Sequence, residues 1–335
     1  MVASFLNGIR RVVNAPALLV GVYLVTLAAT VPMALALHVS IASHLGNSVA
    51  ADTAATGVNA EWWEEFGAQA TGIERTFTPS VIGFAAVLSN LSAFLDNVPL
   101  SGGVAAVAVA YLVVWAFLVG GVIDRLARQR PVLSAGFFSA CGIFFFRFCR
   151  LAALVGLMYW VLLGPVHSWL LDDLYRSITR DLTVERTAFI VRLTLYVIFG
   201  TLLVLINLVV DYAKIRAVVE DRRSMIGALL AALRFARRRP VSTIGLYLLN
   251  GTLFLAVLFA YALVAPGAGT TGPSMWGGFL VGQAYVIARL FSKLVFYASQ
   301  TAFFQSQLAH AGYVAAPRPT WPESPAAEAI GGTVT

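Results

Sequence analysis

The feature that most constrains this chain is a series of apolar runs, each long enough to cross a lipid bilayer. Six such runs lie near Ala15–Ile41, Leu100–Ile123, Leu151–Leu171, Ala188–Val210, Val241–Ala265 and Trp276–Gln300. A helix rises about 1.5 Å per residue, so about 20 apolar residues cross roughly 30 Å of hydrocarbon. Lipid cannot satisfy backbone polar groups, whereas a helix satisfies them internally. Each run is therefore predicted to be a transmembrane helix.

Composition agrees with this prediction. Of the 335 residues, 59% are hydrophobic and 12% are charged, whereas a soluble domain has about a quarter of its residues charged. The first run resembles the core of a signal peptide, but the stretch from Ala15 to Leu37 is longer than the usual core of about 7–15 residues. We expect it to be an uncleaved first span. The predicted fold is an all-α, polytopic six-helix transmembrane bundle.

Basic residues concentrate in two of the connections between the runs. The first group is Arg125, Arg128, Arg130, Arg147 and Arg150, and the second is Lys214, Arg216, Arg222, Arg223, Arg234, Arg237, Arg238 and Arg239. Short loops rich in Lys and Arg remain cytoplasmic, so we expect both termini to be cytoplasmic. The net charge of +7 does not point to nucleic acid, because the basic residues flank apolar runs and do not form a soluble basic face.

The first outer connection, residues 42–98, is predicted to be an extracytoplasmic segment too long for a simple turn. Trp62 and Phe66 would share one helical face, with Trp63 beside them and acids around them. This pattern is typical of a helix at the membrane interface, with its indoles in contact with headgroups or with a partner protein. Phe77–Leu95 is either a second interfacial helix or a re-entrant one.

The C-terminal part of the chain changes composition. Residues 315–335 are rich in proline and are predicted to form a disordered cytoplasmic tail. Residues 1–314 then make up the membrane domain.

Several spacings recur along the chain and predict an internal repeat. Pro16 is followed by Gly21 and Tyr23 with the same P-x4-G-x-Y spacing that follows Pro240. Ser134 precedes Arg147 by thirteen residues, as Ser224 precedes Arg237. Between these markers lie the amphipathic stretches Phe137–Phe148 and Met225–Phe235. The pattern predicts three units, each an amphipathic interfacial helix followed by a transmembrane hairpin.

These basic amphipathic loops, with Asp-Tyr-Ala-Lys-Ile-Arg at 211–216 and Leu-Arg-Phe-Ala-Arg-Arg-Arg-Pro at 233–240, carry a resemblance. The chain resembles a loose group of bacterial six-span proteins that includes the membrane domain attached to some glycerophosphodiester phosphodiesterases. The likeness covers most of the membrane part but not 42–98. It implies a membrane fold and a bacterial inner (plasma) membrane. It does not imply phosphodiesterase activity, because no soluble catalytic domain is found.

The last span contains two cations at membrane depth, Arg289 and Lys293. Four residues apart, they share a helical face, and only about thirteen mostly apolar or small residues separate Arg289 from Trp276. A charge at that depth is unfavourable by roughly 2.5–3.5 kcal/mol unless it is paired or hydrated. Asp124 and Asp211 are the candidate partners. The alternatives are an anion-binding site, or a structural ion pair with side chains that reach the interface.

The inner amphipathic stretches indicate contact with lipid. Arg147, Arg150, Arg237 and Arg238 flank aromatic and aliphatic residues, a composition suited to anionic headgroups. A membrane-protein partner is the alternative. We found no catalytic motif, no cofactor motif and no tight metal-ligand spacing. The sequence therefore favours a non-enzymatic scaffold that organises lipids or partners, with a transporter or channel for an anionic or lipid-like substrate as the alternative.

Overall fold

The computed structural model describes residues 1–46, 48–56, 59–77, 84–99, 102–129, 132–265 and 273–310. Its α-helices are α1 (Val2–Val13), α2 (Pro16–Gly46), α3 (Ala51–Thr56), α4 (Ala60–Gln69), α5 (Phe84–Leu95), α6 (Gly102–Arg128), α7 (Ser134–Val161), α8 (Tyr175–Thr179), α9 (Glu185–Val219), α10 (Met225–Arg238), α11 (Pro240–Val264) and α12 (Pro273–His310). No strand occurs in these ranges. The predicted tail 315–335 lies outside them, as do residues 78–83 of the stretch that was predicted to be interfacial or re-entrant.

Six helices are long and apolar enough to cross a bilayer: Pro16–Gly46, Ala105–Arg128, Ser134–Thr179, Glu185–Val219, Pro240–Val264 and Pro273–Leu308. The protein is therefore an integral membrane protein with an all-α polytopic fold, as predicted. The third helix is longer than its predicted span. It continues beyond α7 through two π-helical segments, Leu162–Val166 and Trp169–Leu174. Pro165 lies in the first of these, where a wide turn accommodates its missing N–H.

Hydrogen bonds between distant helix ends define two ends of the bundle. Arg11 Nη1 donates to the Leu126 carbonyl and to Gln305, over 3.0 and 2.8 Å. The start of the chain, the end of α6 and the last turns of α12 therefore meet at what we call the arginine-rich end. At the opposite end, Asn97 Nδ2 donates to the Leu163 carbonyl over 3.0 Å. The first helix and the last turns of α12 thus lie at the same end of the bundle, which agrees with the prediction that both termini lie on one side of the membrane.

One kind of helix contact recurs in the three predicted units. The first helix of each unit lies on the last span of the preceding unit: the first half of α7 on α6, α10 on α9, and α1 on α12. The third of these contacts closes a ring, because it joins the beginning of the chain to its last span. One detail differs from the prediction. Phe137–Phe148 is not a separate helix, because α7 runs unbroken from Ser134, whereas Pro16 and Pro240 each begin a new helix.

Two of the ring contacts depend on glycine. A Cβ added at Gly8 would lie 2.7 Å from the Ser299 backbone, and one at Gly121 would lie 2.5 Å from Cys141 Sγ. Helices approach this closely only where a side chain is absent on one of them. Gly21, by contrast, has nothing within 4 Å of an added Cβ.

The core is concentrated at the arginine-rich end. Its largest cluster includes Ile123, Phe148, Tyr212, Leu246 and Leu294. The segments 24–46, 105–117, 252–264 and 273–289, which lie toward the opposite end, contain only two buried residues, Leu258 and Tyr261. We call these four segments the loose half, because their neighbours within the chain cover little of their surface.

We expect Gly8→Ala to destabilise the fold by about 1–3 kcal/mol, because the added methyl group forces α1 away from α12. Gly21→Ala is the matched control, since it adds the same methyl group to a helix where nothing lies nearby. That change should leave stability unchanged or raise it by up to about 1 kcal/mol through helix propensity. Thermal unfolding in detergent measures both. Equal midpoints for the two variants would contradict the importance of this contact.

Candidate functional site

The two aspartates expected to pair with the cations of the last span pair instead with basic residues of their own helices. Asp124 Oδ1 lies 2.8 Å from Arg128 Nε, and Asp211 Oδ1 lies 2.9 Å from Lys214 Nζ. In each pair the partner is one helical turn away, so the pair forms without any adjustment of helix packing. No direct salt bridge joins either aspartate to Arg289 or Lys293 in the described residues.

Lys293 contacts aromatic rings of α6. Its Nζ lies 3.4 Å from the centroid of the Trp115 ring and 5.7 Å from that of Tyr111. A ring face attracts an ammonium group and substitutes for part of its lost hydration. Arg289 lies one turn closer to the start of α12 and is exposed. Lys293 interacts electrostatically with Arg289 and with Lys214, and Asp211 is the acid within reach of Lys293.

Tyrosines from three spans converge on the Asp211–Lys214 pair. Tyr159 of α7, Tyr247 of α11 and Tyr297 of α12 all interact electrostatically with both members of the pair. Lys214 Nζ also lies 5.7 Å from the Tyr297 ring centroid. Asp211 and Lys214 are mostly covered, with side chains 16% and 23% exposed. The centre of the bundle is thus a polar cluster formed by residues from different units.

The central cluster has an excess of positive charge. Lys214, Lys293 and Arg289 stand against the single carboxylate of Asp211, which already accepts from Lys214. Trp115 Nε1 donates to the Tyr297 hydroxyl over 3.3 Å, which fixes the ring that Lys293 covers. An arrangement of cations and N–H donors in a low-dielectric medium can hold an anion.

The four arginines predicted to contact lipid lie on two of the first helices of the units. We call these first helices the arginine collar (α1, residues 134–150 of α7, and α10). Arg147 points inward, since Nη1 lies 2.5 Å from Asp221 Oδ1 and its guanidinium covers the Phe144 ring. Arg150, Arg237 and Arg238 are exposed. Of the four predicted lipid-contact arginines, three are thus accessible and one joins two parts of the fold.

The aromatic residues of the outer segment form a small core. Trp62 and Phe66 share a face of α4, as expected, but that face packs on the end of α2. Trp62 Nε1 donates to His44 Nδ1 over 3.1 Å, and the Trp62 and Phe66 rings stack with centroids 5.4 Å apart. Both side chains are buried within the chain. Trp63 is half-buried in the same cluster.

Two acids of the outer segment accept hydrogen bonds from residues of the spans. Glu74 accepts from the Ser40 hydroxyl and from the Thr71 backbone N–H, and these bonds, the one from Ser40 first, lower the pKa of its carboxyl. Asp96 accepts from the Tyr196 hydroxyl, which lowers the pKa of Asp96 in the same way. Both acids stabilise this arrangement in their charged form.

Two histidines make hydrogen-bond contacts within the chain. His44 accepts from Trp62, and His167 Nε2 lies 2.7 Å from the Leu95 carbonyl. In the described ranges, no three residues of the His, Cys, Asp and Glu types group around a point where a metal ion could bind.

Several residues of the central cluster were missed by the sequence analysis. Trp115 and Tyr111 lie within an apolar run, where aromatic residues are ordinary, and nothing in their spacing indicates a lysine partner. Lys214 was assigned to a basic loop, although its position three residues after Asp211 is a signal for a pair on one helix. Tyr247 belongs to the repeated P-x4-G-x-Y spacing after Pro240 and was not predicted to be a site residue.

Asp211→Asn should destabilise the protein by about 3 kcal/mol, because Lys214 would keep its charge in a mostly covered site without an acid. Asp124→Asn is the matched control. Its partner Arg128 is 68% exposed, so the loss should stay below about 1 kcal/mol. Asp211→Asn combined with Lys214→Met should recover much of the stability. Thermal unfolding in detergent distinguishes these outcomes, and equal losses for the two single variants would contradict a special role for the Asp211 pair.

Acidification should loosen the outer segment. The folded pKa of Glu74 is lower than its ordinary value of 4.5, so its contribution to docking is complete above pH 4.5 and is lost as the pH falls through the lowered pKa. Hydrogen exchange of residues 59–77, corrected for the intrinsic pH dependence of amide exchange, should accordingly rise in acid, with no change between neutral pH and pH 4.5. Glu74→Gln should raise exchange at neutral pH and remove this residue's part of the pH response. Exchange that is the same in both proteins at every pH would contradict this role.

Comparison of the chain with protein-family models, with curated proteins and with solved structures found no match. The resemblance to bacterial six-span proteins therefore stays a prediction.

Proposed function

We propose that this integral membrane protein is a non-enzymatic organiser of anionic lipid, which it gathers around the arginine collar. The proposal places the protein in a bacterial inner membrane with the arginine-rich end in the cytoplasm. The positive-inside rule supports that orientation, because positive charge in short loops favours the cytoplasmic side. We also propose that the chain is related to the bacterial six-span group.

The observation that carries the proposal is the combination, on α10, of exposed apolar side chains and arginines that have no acid partner among the described residues. Ile226, Leu230 and Leu233 are 60%, 52% and 42% exposed. Exposed Arg234, Arg237 and Arg238 lie beside them. The opposite face of α10, with Ala228, Ala232 and Ala236, is buried against the bundle. A helix with this pattern lies in the interface with its cations on phosphates.

The other parts of the collar repeat the pattern. Phe138 and Phe146 are 51% and 73% exposed on α7, with Arg150 beside them, and Leu6 is 51% exposed on α1, near Arg10. The described acids of this end are already paired: Asp124 with Arg128, Asp211 with Lys214, Asp221 with Arg147, and Glu220 with Arg216 and Arg222. The remaining arginines are therefore left for anionic headgroups, each attraction being worth about 1 kcal/mol.

A second candidate function is the transport of an anionic or lipid-like substrate. Its support is the intramembrane position of Arg289 and Lys293, which in the described residues have no direct acid partner. Reconstituted vesicles loaded with an anionic solute or lipid would test it. Flux that is unchanged after both cations are replaced by glutamine would exclude these residues as the transport site.

Replacement of Arg234, Arg237 and Arg238 by glutamine should reduce the preference of the protein for anionic lipid several-fold. The measurement is the fraction of spin-labelled phosphatidylglycerol immobilised by the protein in mixed bilayers, compared with spin-labelled phosphatidylcholine. The matched control replaces Arg176, Arg180 and Arg186, which are three exposed arginines near the opposite end. It removes the same charge and should have little effect. Equal immobilisation of the two lipids by the wild type, or equal losses in both variants, would refute the proposal.

A further inference from the structure

Four polar side chains form one stripe along α12: Arg289, Lys293, Tyr297 and Gln300. Their spacings of four, four and three residues keep them on one face of the helix. Gln300 is 1% exposed, and both atoms of its amide are buried without a hydrogen-bond partner in the described residues. An unsatisfied buried amide is unfavourable by about 1–3 kcal/mol. The stripe therefore carries a guanidinium, an ammonium and a buried amide without a described partner along one face of the helix.

The stripe begins deep in the bilayer. Lys293 precedes Gln305, which marks the arginine-rich end, by 12 residues, and Arg289 precedes it by 16. At about 1.5 Å per residue these separations are about 18 and 24 Å. Arg289 and Lys293 are thus near the middle of α12 and far from the headgroups that the collar would contact.

The charge of the stripe is not balanced within the described chain. Asp211 is the acid within reach of Lys293 and is bonded to Lys214. The contacts of Lys293 with Trp115 and Tyr111 use ring faces, which carry no net charge. Two cations at this depth are unfavourable by roughly 2.5–3.5 kcal/mol each on insertion scales. An anion placed between them would offset part of that penalty.

The loose half provides space beside the cations. Residues 273–289 of α12 and 105–117 of α6, which lead to Arg289 and Trp115, contain no buried residue. Their surfaces are apolar and open, so the surroundings of the stripe suit hydrocarbon chains. A small hydrated anion would have to lose its water to reach Lys293, whereas a lipid-like anion can enter sideways from the bilayer with its chains in the loose half.

We propose that the α12 stripe binds the anionic headgroup of one lipid-like molecule, with a phosphate or carboxylate between Arg289 and Lys293 and its apolar chain in the loose half. Gln300 and Tyr297 lie further along the stripe and would hold a polar extension of that headgroup. The site is separate from the arginine collar, so it does not depend on lipid being gathered there. It supplies the binding step that the second candidate function requires.

The test uses the contact between Lys293 and Trp115. Full-length protein in nanodiscs is titrated with phosphatidylglycerol that carries bromine on its acyl chains, which quenches nearby tryptophan fluorescence. The signal of Trp115 is the difference between the wild type and Trp115→Phe. We expect saturable quenching of Trp115 by brominated phosphatidylglycerol and at least ten-fold weaker quenching by brominated phosphatidylcholine. Lys293→Gln with Arg289→Gln should weaken the anionic response at least ten-fold.

Further variants and competitors distinguish this proposal from binding of a small anion, from unspecific lipid contact and from the collar proposal. Lys293→Arg, which keeps the charge, should retain binding, so it remains informative if the double glutamine variant fails to fold. Inorganic phosphate should not compete; competition would overturn the proposal in favour of a small anion. Equal quenching by both lipids, or unchanged quenching in the glutamine variant, would also overturn it. Glutamine replacement of Arg234, Arg237 and Arg238 should leave Trp115 quenching intact, so failure of the collar proposal and failure of this one are distinguishable.

Discussion

At the arginine-rich end, Gly8 lets the backbone of α1 approach Ser299 of α12 until there is no room for a Cβ. This contact joins the first helix of the chain to its last span, and it turns three successive hairpins into a closed ring. Arg11 bonds the same junction to the Leu126 carbonyl and to Gln305. The positive charge of Arg11 lies at the C-terminal end of α6, which is the negative end of its helix dipole. Electrostatic attraction and close packing therefore stabilise the same junction.

The closed ring determines where polar residues can lie. The first helix of each unit packs on the last span of the preceding unit, which brings spans of different units together. Tyr159 comes from the second unit and Tyr247 from the third, and both interact electrostatically with Asp211. Packing at one end thereby assembles a polar centre from residues far apart in the chain, while the other end stays loosely covered.

The six spans and the all-α fold could be predicted because length and hydropathy are local properties of the chain. The repeat was visible for the same reason, in Pro16, Pro240 and the residues that follow them. The contact partners of Asp211 and Trp62 were not predicted correctly. Asp211 was expected to meet Lys293, but Lys214 is one turn away and forms the pair first. Trp62 fitted an interfacial helix until the end of α2 supplied a surface against which its ring is buried. The Asp211–Lys214 pair could have been predicted from its three-residue spacing. The burial of Trp62 could not, because it depends on which helices become neighbours, which no local pattern encodes.

The two positively charged regions of the bundle differ in what can neutralise them. The collar lies at the helix ends, where headgroups and water reach its arginines, so each cation there has a small effect and lipid contact is exchangeable. Lys293 and Arg289 lie about 18 and 24 Å along α12 from Gln305, where charges are weakly screened and an anion would be held more strongly. Asp211 is already bonded to Lys214. The charges of Lys293 and Arg289 therefore have to be balanced by a group other than this nearest acid. A ligand with a negatively charged group and a hydrocarbon chain would neutralise the cations with the one and cover the apolar surface of the loose half with the other.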